Sequence, residues 1–185
     1  GVVGLGVTWI EILTVTWEGS PNTDRLTFFR TMTNGTITAG TANIAFSAQT
    51  QQGADWSFFE FAGTDTSGTN GSGAIVQSAS ATSSGVSTLT VNLSAFGSPT
   101  NGAASAFSIR VSEAQTPDTG WTEIHDVQAG GSPHLSLETQ WRATQDTTAV
   151  SDWASNAECG GIAIEIKEET TAVTYDESSA QCMVA

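Results

Sequence analysis

The chain has 185 residues, 38% of them hydrophobic, which is the size of one domain with a single core. Its 19 acidic residues against 5 Lys and Arg give a formal charge of -14, a field that repels phosphate backbones and anionic membrane surfaces. No run approaches the roughly 18 apolar residues of a membrane span. We therefore expect no nucleic-acid partner and no membrane insertion.

Period-two alternation of apolar and polar residues starts near the N-terminus and predicts strands. In "VTWIEILTVTW", Trp9, Leu13 and Trp17 fall on one side, while Ile10 and Ile12 fall on the other. Further strand candidates follow in chain order: "DRLTFFRTM", "TANIAFSAQ", "DWSFFEFAG" and "GAIVQSAS". Clusters of Gly, Asn, Ser and Pro separate them and predict turns.

The polar stretch after "DWSFFEFAG" is the best candidate for a metal or polar-ligand loop. Side-chain oxygens come at close spacing, as in a calcium loop, from Asp65, Ser67, Thr69 and Asn70. After Asp65 no acid occurs until Glu113, so a calcium site here would need remote partners. The residues favour a glycine-rich turn, Gly68 to Gly73, that reverses two core strands. Asp65 is a weak metal candidate, and no cofactor other than calcium is suggested.

The second half of the chain continues the alternation. Inward positions are predicted at Leu89, Val91 and Leu93 after a turn at "TSSGVS", and then at Phe107, Ile109 and Val111. "PHLSLETQWRA" predicts a half-buried strand with an inward and an outward set: Leu135, Leu137, Thr139 and Trp141 inward, and His134, Ser136, Glu138, Gln140 and Arg142 outward. "GGIAIEIKE" predicts the last strand of the domain.

Acidic residues within these strands raise the question of catalysis. In "TEIHDV", ideal alternation places Glu123 and His125 on one face and Asp126 on the other, so two carboxylates do not converge as glycoside hydrolysis requires. Glu60 and Glu165 lie in very apolar strands and are predicted to point outward. A Ser–His–Asp triad would have to use one of the two histidines, and no nucleophile-elbow or phosphate-loop motif is present. We predict no catalytic residue.

Tryptophan and cysteine leave two questions open. Most of the six Trp belong to a core, and one exposed Trp would serve as a sugar-stacking platform. Cys159 and Cys182 are compatible with one bridge or with two buried thiols.

Strands recur about every 10 to 15 residues with no convincing helix between them, which predicts an all-β, two-sheet antiparallel sandwich. A jelly roll is the predicted topology, with an immunoglobulin-like sandwich or an up-and-down barrel as alternatives. Residues 1–168 form the domain, and residues 169–185 form an acidic tail. Within the tail, "TAVTY" either adds one more strand, in its own chain or in a neighbouring subunit, or belongs to a frayed terminus. Because no Met or signal peptide opens the chain, its start is expected to be processed or incomplete.

The order of several motifs along the chain resembles a protein group. They are "GLGVTWIEI", "RLTFFRTM", "WSFFEFAGTDTSGTNGSGAIVQSA", "LTVNLSAFGS", "EAQTPDTGWTEI" and "GGIAIEIKE". Together they resemble Gly/Ser/Thr-rich β-sandwich proteins, jelly-roll or concanavalin-like, encoded by tailed bacteriophages and by related bacterial or metagenomic contigs. The motifs contain no reactive residue, so the resemblance carries over no catalytic or binding residue. Members usually begin with a further apolar strand, where this chain has only "GVVGLGV".

The resemblance implies a non-catalytic structural or display protein on the exterior of a virion, as a head decoration or tail-fibre component. The implied partners are other virion or surface-assembly proteins and further copies of the chain, with a cell-surface glycan as an additional candidate. The implied location is the virion surface or the extracellular space. Two alternatives stay open: a carbohydrate-binding module, and an extracellular filament subunit assembled by strand exchange.

Overall fold

The structure, a computed structural model, describes residues 1–17, 23–33, 37, 39–47, 50–132, 134–169 and 174–175. These residues form twelve strands and one short 3-10 helix, Thr69–Ala74. In chain order the strands are β1 (Val2–Gly4), β2 (Ile10–Trp17), β3 (Asp24–Arg30), β4 (Ala42–Ile44), β5 (Phe61–Ala62), β6 (Ile75–Asn92), β7 (Gly102–Ile109), β8 (Thr116–Pro117), β9 (Thr122–Ala129), β10 (Leu135–Arg142), β11 (Thr148–Ile166) and β12 (Thr174–Tyr175). Within this part of the chain, no helix is long and apolar enough to cross a membrane.

The main sheet is antiparallel and has the order β6-β11-β7-β10-β9, with β8 paired to β11 outside this path. Three two-stranded sheets accompany it: β1 with β4, β2 with β3, and β5 with β12. Strands dominate because Ser, Thr and β-branched residues alternate along most of the chain, a pattern that suits a pleated surface.

The two longest strands, β6 and β11, bend over the main sheet. The second half of β11 pairs with β7, whereas its first half pairs with β6 and β8 only, and the register shifts between Asp152 and Ala157. Ala149 and Trp153 from the first half nevertheless lie in one core cluster with Phe107 of β7. The bend therefore closes a core over one face of the sheet, as expected where bulges break a ladder.

The β2–β3 hairpin covers the opposite face of the main sheet. Trp17, Leu26 and Phe28 of the hairpin are buried in a second cluster with Ile162 and Ile164 of β11. Because both faces of the sheet are covered, the fold is an all-β sandwich, and the predicted fold class is confirmed. The jelly-roll connectivity stays a prediction.

The prediction that β10 is half-buried is wrong. Its predicted outward residues Ser136, Glu138 and Gln140 are fully buried, as is Ser105 on the neighbouring strand β7. The first half of β11 lies against this face, where Gln140 Nε2 donates to the Val150 carbonyl at 2.9 Å. Alternation reports which side chains share a face, but not whether a second strand covers that face.

Two boundary predictions also differ from the structure. The turn predicted at "TSSGVS" is absent, because β6 runs from Ile75 to Asn92 with Gly85 inside it at a φ of 68°. Of the strand predicted at "DWSFFEFAG", only Phe61–Ala62 pair with another strand in the described residues. Glycine accepts a positive φ without strain, so Gly85 bends the strand without ending it.

Candidate functional site: the C-terminal clasp and the buried carboxylates

The aromatic run before residue 62 packs against the hairpin and the main sheet. The Phe59 ring lies edge-on to Phe28 and Phe61, with centroid distances of 5.8 and 5.5 Å, and Phe61 lies 6.1 Å from Trp141. Glu60 between them is exposed, as predicted. Dispersion and burial therefore fix Phe59 and Phe61 in the core, and the backbone that follows them lies at a defined place.

The C-terminal segment pairs with that backbone. Asp65 N donates to the Lys167 carbonyl at 2.9 Å, Thr64 bridges Glu168, and Glu169 N donates to the Gly63 carbonyl at 3.0 Å. Further along, β12 continues the antiparallel pairing on β5, with Thr174 opposite Ala62 and Tyr175 opposite Phe61. We call this arrangement, residues 61–65 with 167–169 and 174–175, the C-terminal clasp.

An ion pair closes one end of the clasp. Asp65 Oδ2 lies 2.5 Å from Nζ of Lys167, the single lysine of the chain, and Asp65 Oδ1 accepts the Ser67 backbone N–H at 2.7 Å. Hydrogen bonds from Lys167 and Ser67 lower the pKa of Asp65 to about 2. The carboxylate weighed as a calcium ligand thus faces a cation of the protein itself. This geometry gives no support to Asp65 as a calcium ligand, which the sequence offered only as a weak candidate.

The glycine-rich stretch after Asp65 is a 3-10 turn that docks on β3. Gly68 and Gly71 have φ of 78° and 72°, as expected where a tight turn needs the left-handed region. Arg30 Nη1 donates to the Asn70 carbonyl, and a Cβ at Gly71 would come within 2.9 Å of Met32. The predicted turn is present, but it does not join two strands of one sheet, because β5 pairs with β12 and β6 pairs with β11.

The prediction that Glu123 shares a face with His125, and not with Asp126, is wrong. Glu138 of β10 pairs with Asp126, and Gln140 pairs with Glu123, so the register skips one residue of β9. Because Glu138 and Gln140 are two residues apart on one strand, their partners share their face. A bulge therefore brings Glu123, Asp126 and Glu138 to the same side of the sheet.

Glu138 is the most perturbed acid of this group. Its side chain is fully buried, and Oε1 has no hydrogen-bond partner among the described residues. Ser151 Oγ lies within hydrogen-bonding distance of both Glu138 Oε2 and Gln115 Oε1. Burial is the main cause that raises the pKa of Glu138 to about 7, and the charges of Glu123, Asp126 and Asp152 add to it. One serine hydrogen cannot serve two acceptors, whereas a protonated Glu138 donating to Ser151 satisfies both.

Burial keeps Glu138 away from any substrate at the surface. Glycoside hydrolysis needs two carboxylates on either side of a sugar, and Glu138 is covered by β11. Glu138 therefore belongs to a buried polar cluster of the sandwich, whereas Glu123 on the same face is exposed and Asp126 is half-buried.

The prediction that Glu165 points outward is wrong. The side chain is fully buried and accepts hydrogen bonds from Gln77 Nε2 at 2.6 Å, Gly97 N at 2.9 Å and Asn101 Nδ2 at 2.5 Å. These donors come from β6 and from the connection between β6 and β7. Glu165 therefore holds that connection against the sheet, a role in which a buried carboxylate has its lone pairs satisfied.

No tryptophan forms an exposed platform. All six Trp are buried or partly buried, and the side chains of Trp17, Trp121 and Trp153 belong to the core. Two shallow depressions lie on the described surface, one lined by Arg110 and His134 and the other by Trp17 and Glu158. Trp17 at the second depression is only 6% exposed, so it offers no open stacking face.

Cys159 is buried, and burial raises the pKa of its thiol. Cys182, the other cysteine of the chain, lies outside the described residues. Within the described part of the chain, no three His, Cys, Asp or Glu residues are placed to hold a metal ion.

Sequence reasoning missed Lys167, Glu138 and Gln115 as partners. One signal for Lys167 was present: a single lysine directly after an apolar strand, in a chain of -14 charge, is surrounded by candidate acids. No comparable signal marks Glu138, because its burial depends on how β11 bends.

Comparison with known proteins identifies no relative. No protein-family model, no curated protein and no solved structure matches the chain.

Proposed function

We propose that this protein is a non-catalytic structural domain that joins copies of itself through its C-terminal strand. The observation that carries the proposal is the C-terminal clasp. In the described residues β12 pairs with β5, so a segment more than 100 residues further along the chain supplies backbone pairing at Phe61 and Ala62. A strand added from a distant segment is the arrangement that strand-addition assemblies use.

The clasp is suited to exchange between copies. Gly63 and Ala62 are adjacent, but their partners Glu169 and Thr174 are separated by the four residues 170–173. Among the described residues, the strand beyond this connection is Thr174–Tyr175. The same backbone hydrogen bonds, of about 1 kcal/mol each, form whether β12 pairs within its own chain or with a neighbour. At the high local concentration of an assembly, the strand then exchanges at low cost.

We place this assembly on the exterior of a virion, as a head decoration or tail-fibre component. The support is the motif resemblance to phage-encoded β-sandwich proteins, together with the strand-addition geometry. Genes for portal, capsid or tail proteins beside the coding sequence are the expected finding. A neighbourhood of polysaccharide-processing genes would instead favour the carbohydrate-binding alternative, for which the buried tryptophans offer no exposed platform.

Two truncated chains test the assembly role. A chain ending at Tyr175 keeps β12, and a chain ending at Glu169 lacks it. Light scattering after size exclusion should show that the full chain and the chain ending at Tyr175 form assemblies of the same size, and that the chain ending at Glu169 forms smaller ones. Circular dichroism checks that each chain is folded. Equal association of both truncated chains, or monomers throughout, would refute the proposal.

A further inference from the structure

The outer edge of β6 is unpaired in the described part of the chain. β6 is the terminal strand of the main sheet and pairs on one side with β11. From Gln77 to Ser83 this pairing runs without a register shift, so the segment is a regular strand. Its other side offers a row of backbone N–H and C=O groups to an incoming strand.

β6 lacks the features that usually protect such an edge. None of its 18 residues is charged and none is proline. Its solvent-facing side chains in the regular part are small, with Val76 45% exposed and followed by Ser78, Ser80 and Thr82. Natural edge strands are generally blocked by lysine, inward charges or proline, because an unblocked edge templates pairing with another chain.

The opposite edge of the same sheet shows the contrast. β9 carries Glu123, His125 and Asp126 within eight residues. A second copy approaching β9 would bring carboxylates against carboxylates, which is unfavourable for like charges facing each other across strands. Charged side chains therefore disfavour strand pairing at the β9 edge, and no such charges are present on β6.

The absence of charge along β6 makes a second copy of the chain a suitable occupant of this edge. Two copies of net charge -14 repel each other over most of their surfaces, and an 18-residue uncharged strand is a place where their backbones can meet without opposed acids. A twofold dimer makes the two β6 strands antiparallel, the same relation that β6 has to β11. Ser80 stands at the middle of the regular segment, so the twofold axis passes close to it.

We propose that β6 pairs antiparallel with β6 of a second copy, centred on Ser80, which joins the two main sheets into one continuous sheet. This contact does not use the C-terminal clasp, and it does not depend on strand exchange. The two contacts together give each copy two different interfaces, which is what an extended assembly requires.

Charge substitutions at Ser80 in the full-length chain test the contact. Ser80 is exposed, so Ser80→Lys and Ser80→Glu leave the core intact, but each places like charges opposite each other at the twofold axis. Sedimentation should show at least a tenfold weaker self-association for each variant, and recovery in an equimolar mixture of the two. Thr122→Lys and Thr122→Glu, exposed positions on β9, are matched controls that should behave as the native chain.

Three results would overturn the proposal: an association unchanged by both Ser80 variants, no recovery in the mixture, or no association of the native chain. Strand exchange through β12 does not respond to the charge at residue 80, so recovery in the mixture separates the two contacts. Amide hydrogen exchange gives a second readout. Protection of residues 77–83 should rise with protein concentration in the native chain, and protection independent of concentration would also contradict the proposal.

Discussion

At the scale of single residues, the sandwich contains two buried carboxylates that differ in how they are satisfied. Glu165 accepts three hydrogen bonds from β6 and from the connection that follows it. Glu138 has one contact, to Ser151, and an unpartnered Oε1. A buried acid with few donors is most stable when neutral, whereas one with several donors tolerates its charge.

Glu138 should make stability fall as the pH rises. Below its ordinary pKa of 4.5 the group is protonated in both the folded and the unfolded chain. Between pH 4.5 and about 7 the unfolded chain releases the proton while the folded chain keeps it, so the free energy of unfolding decreases. The pKa difference corresponds to a loss of ~3 kcal/mol that is complete above pH 7. Glu138→Gln should remove most of this loss, measured by urea unfolding at pH 5 and pH 8.

Glu60→Gln is the control for this measurement, because Glu60 is exposed in the adjoining aromatic run. It should leave the pH dependence of unfolding as in the native chain. A Glu138→Gln variant with the native pH dependence would show that Glu138 is not the group responsible.

Removing the acceptor oxygens of Glu165 should lower the free energy of unfolding. Glu165→Ala leaves the amide groups of Gln77 and Asn101 and the Gly97 N–H without their partner, and should cost about 3–5 kcal/mol. Glu165→Gln keeps one acceptor oxygen and should cost less. Denaturant unfolding of both variants at pH 7 checks the order, and an equal cost for the two would contradict the hydrogen-bonding role.

At the scale of strands, alternation in the sequence located the apolar core residues of β6 and β7. Leu89 and Val91 of β6, and Phe107 and Ile109 of β7, are buried as predicted. Alternation failed on β10, where the outward set is covered by the bent half of β11, and on β9, where a bulge moves Asp126 to the face of Glu123. Both failures come from long-range contacts, which a local pattern does not contain.

The turn at Gly71 and the bend at Gly85 provide a matched comparison of glycines. Both have a positive φ, 72° and 68°, but a Cβ at Gly71 would come within 2.9 Å of Met32, whereas Gly85 has open space. Gly85→Val should cost about 1–2 kcal/mol from the backbone alone. Gly71→Val should cost clearly more, since Met32 must also move. Thermal unfolding in EDTA and in calcium should give the same ranking, and equal costs would contradict the docking of this turn on β3.

At the scale of the whole molecule, the main sheet is covered on both faces, and contacts between residues far apart in the sequence hold the segments around it in place. Asp65 and Lys167 are 102 residues apart, and β12 returns to β5 across most of the chain. The sequence indicated an all-β sandwich and a tail with one strand-forming segment, because both follow from local residue patterns. It did not indicate that the tail pairs with the aromatic edge, since no residue pattern records the distance between the two segments.

The proposed strand exchange is tested most directly by finding whether β12 of one copy lies on β5 of another. Thr174 is opposite Ala62, so cysteines at these positions are close enough for oxidation to join them once small adjustments are made. In a Cys182→Ser background, chains with Ala62→Cys are mixed with chains with Thr174→Cys and oxidised. In the control mixture, chains with Thr122→Cys, on the β9 edge, take the place of the chains with Thr174→Cys. Strand exchange predicts disulfide-linked pairs of chains in the first mixture and not in the control. Cross-links that form only within a single chain carrying both cysteines would contradict strand exchange.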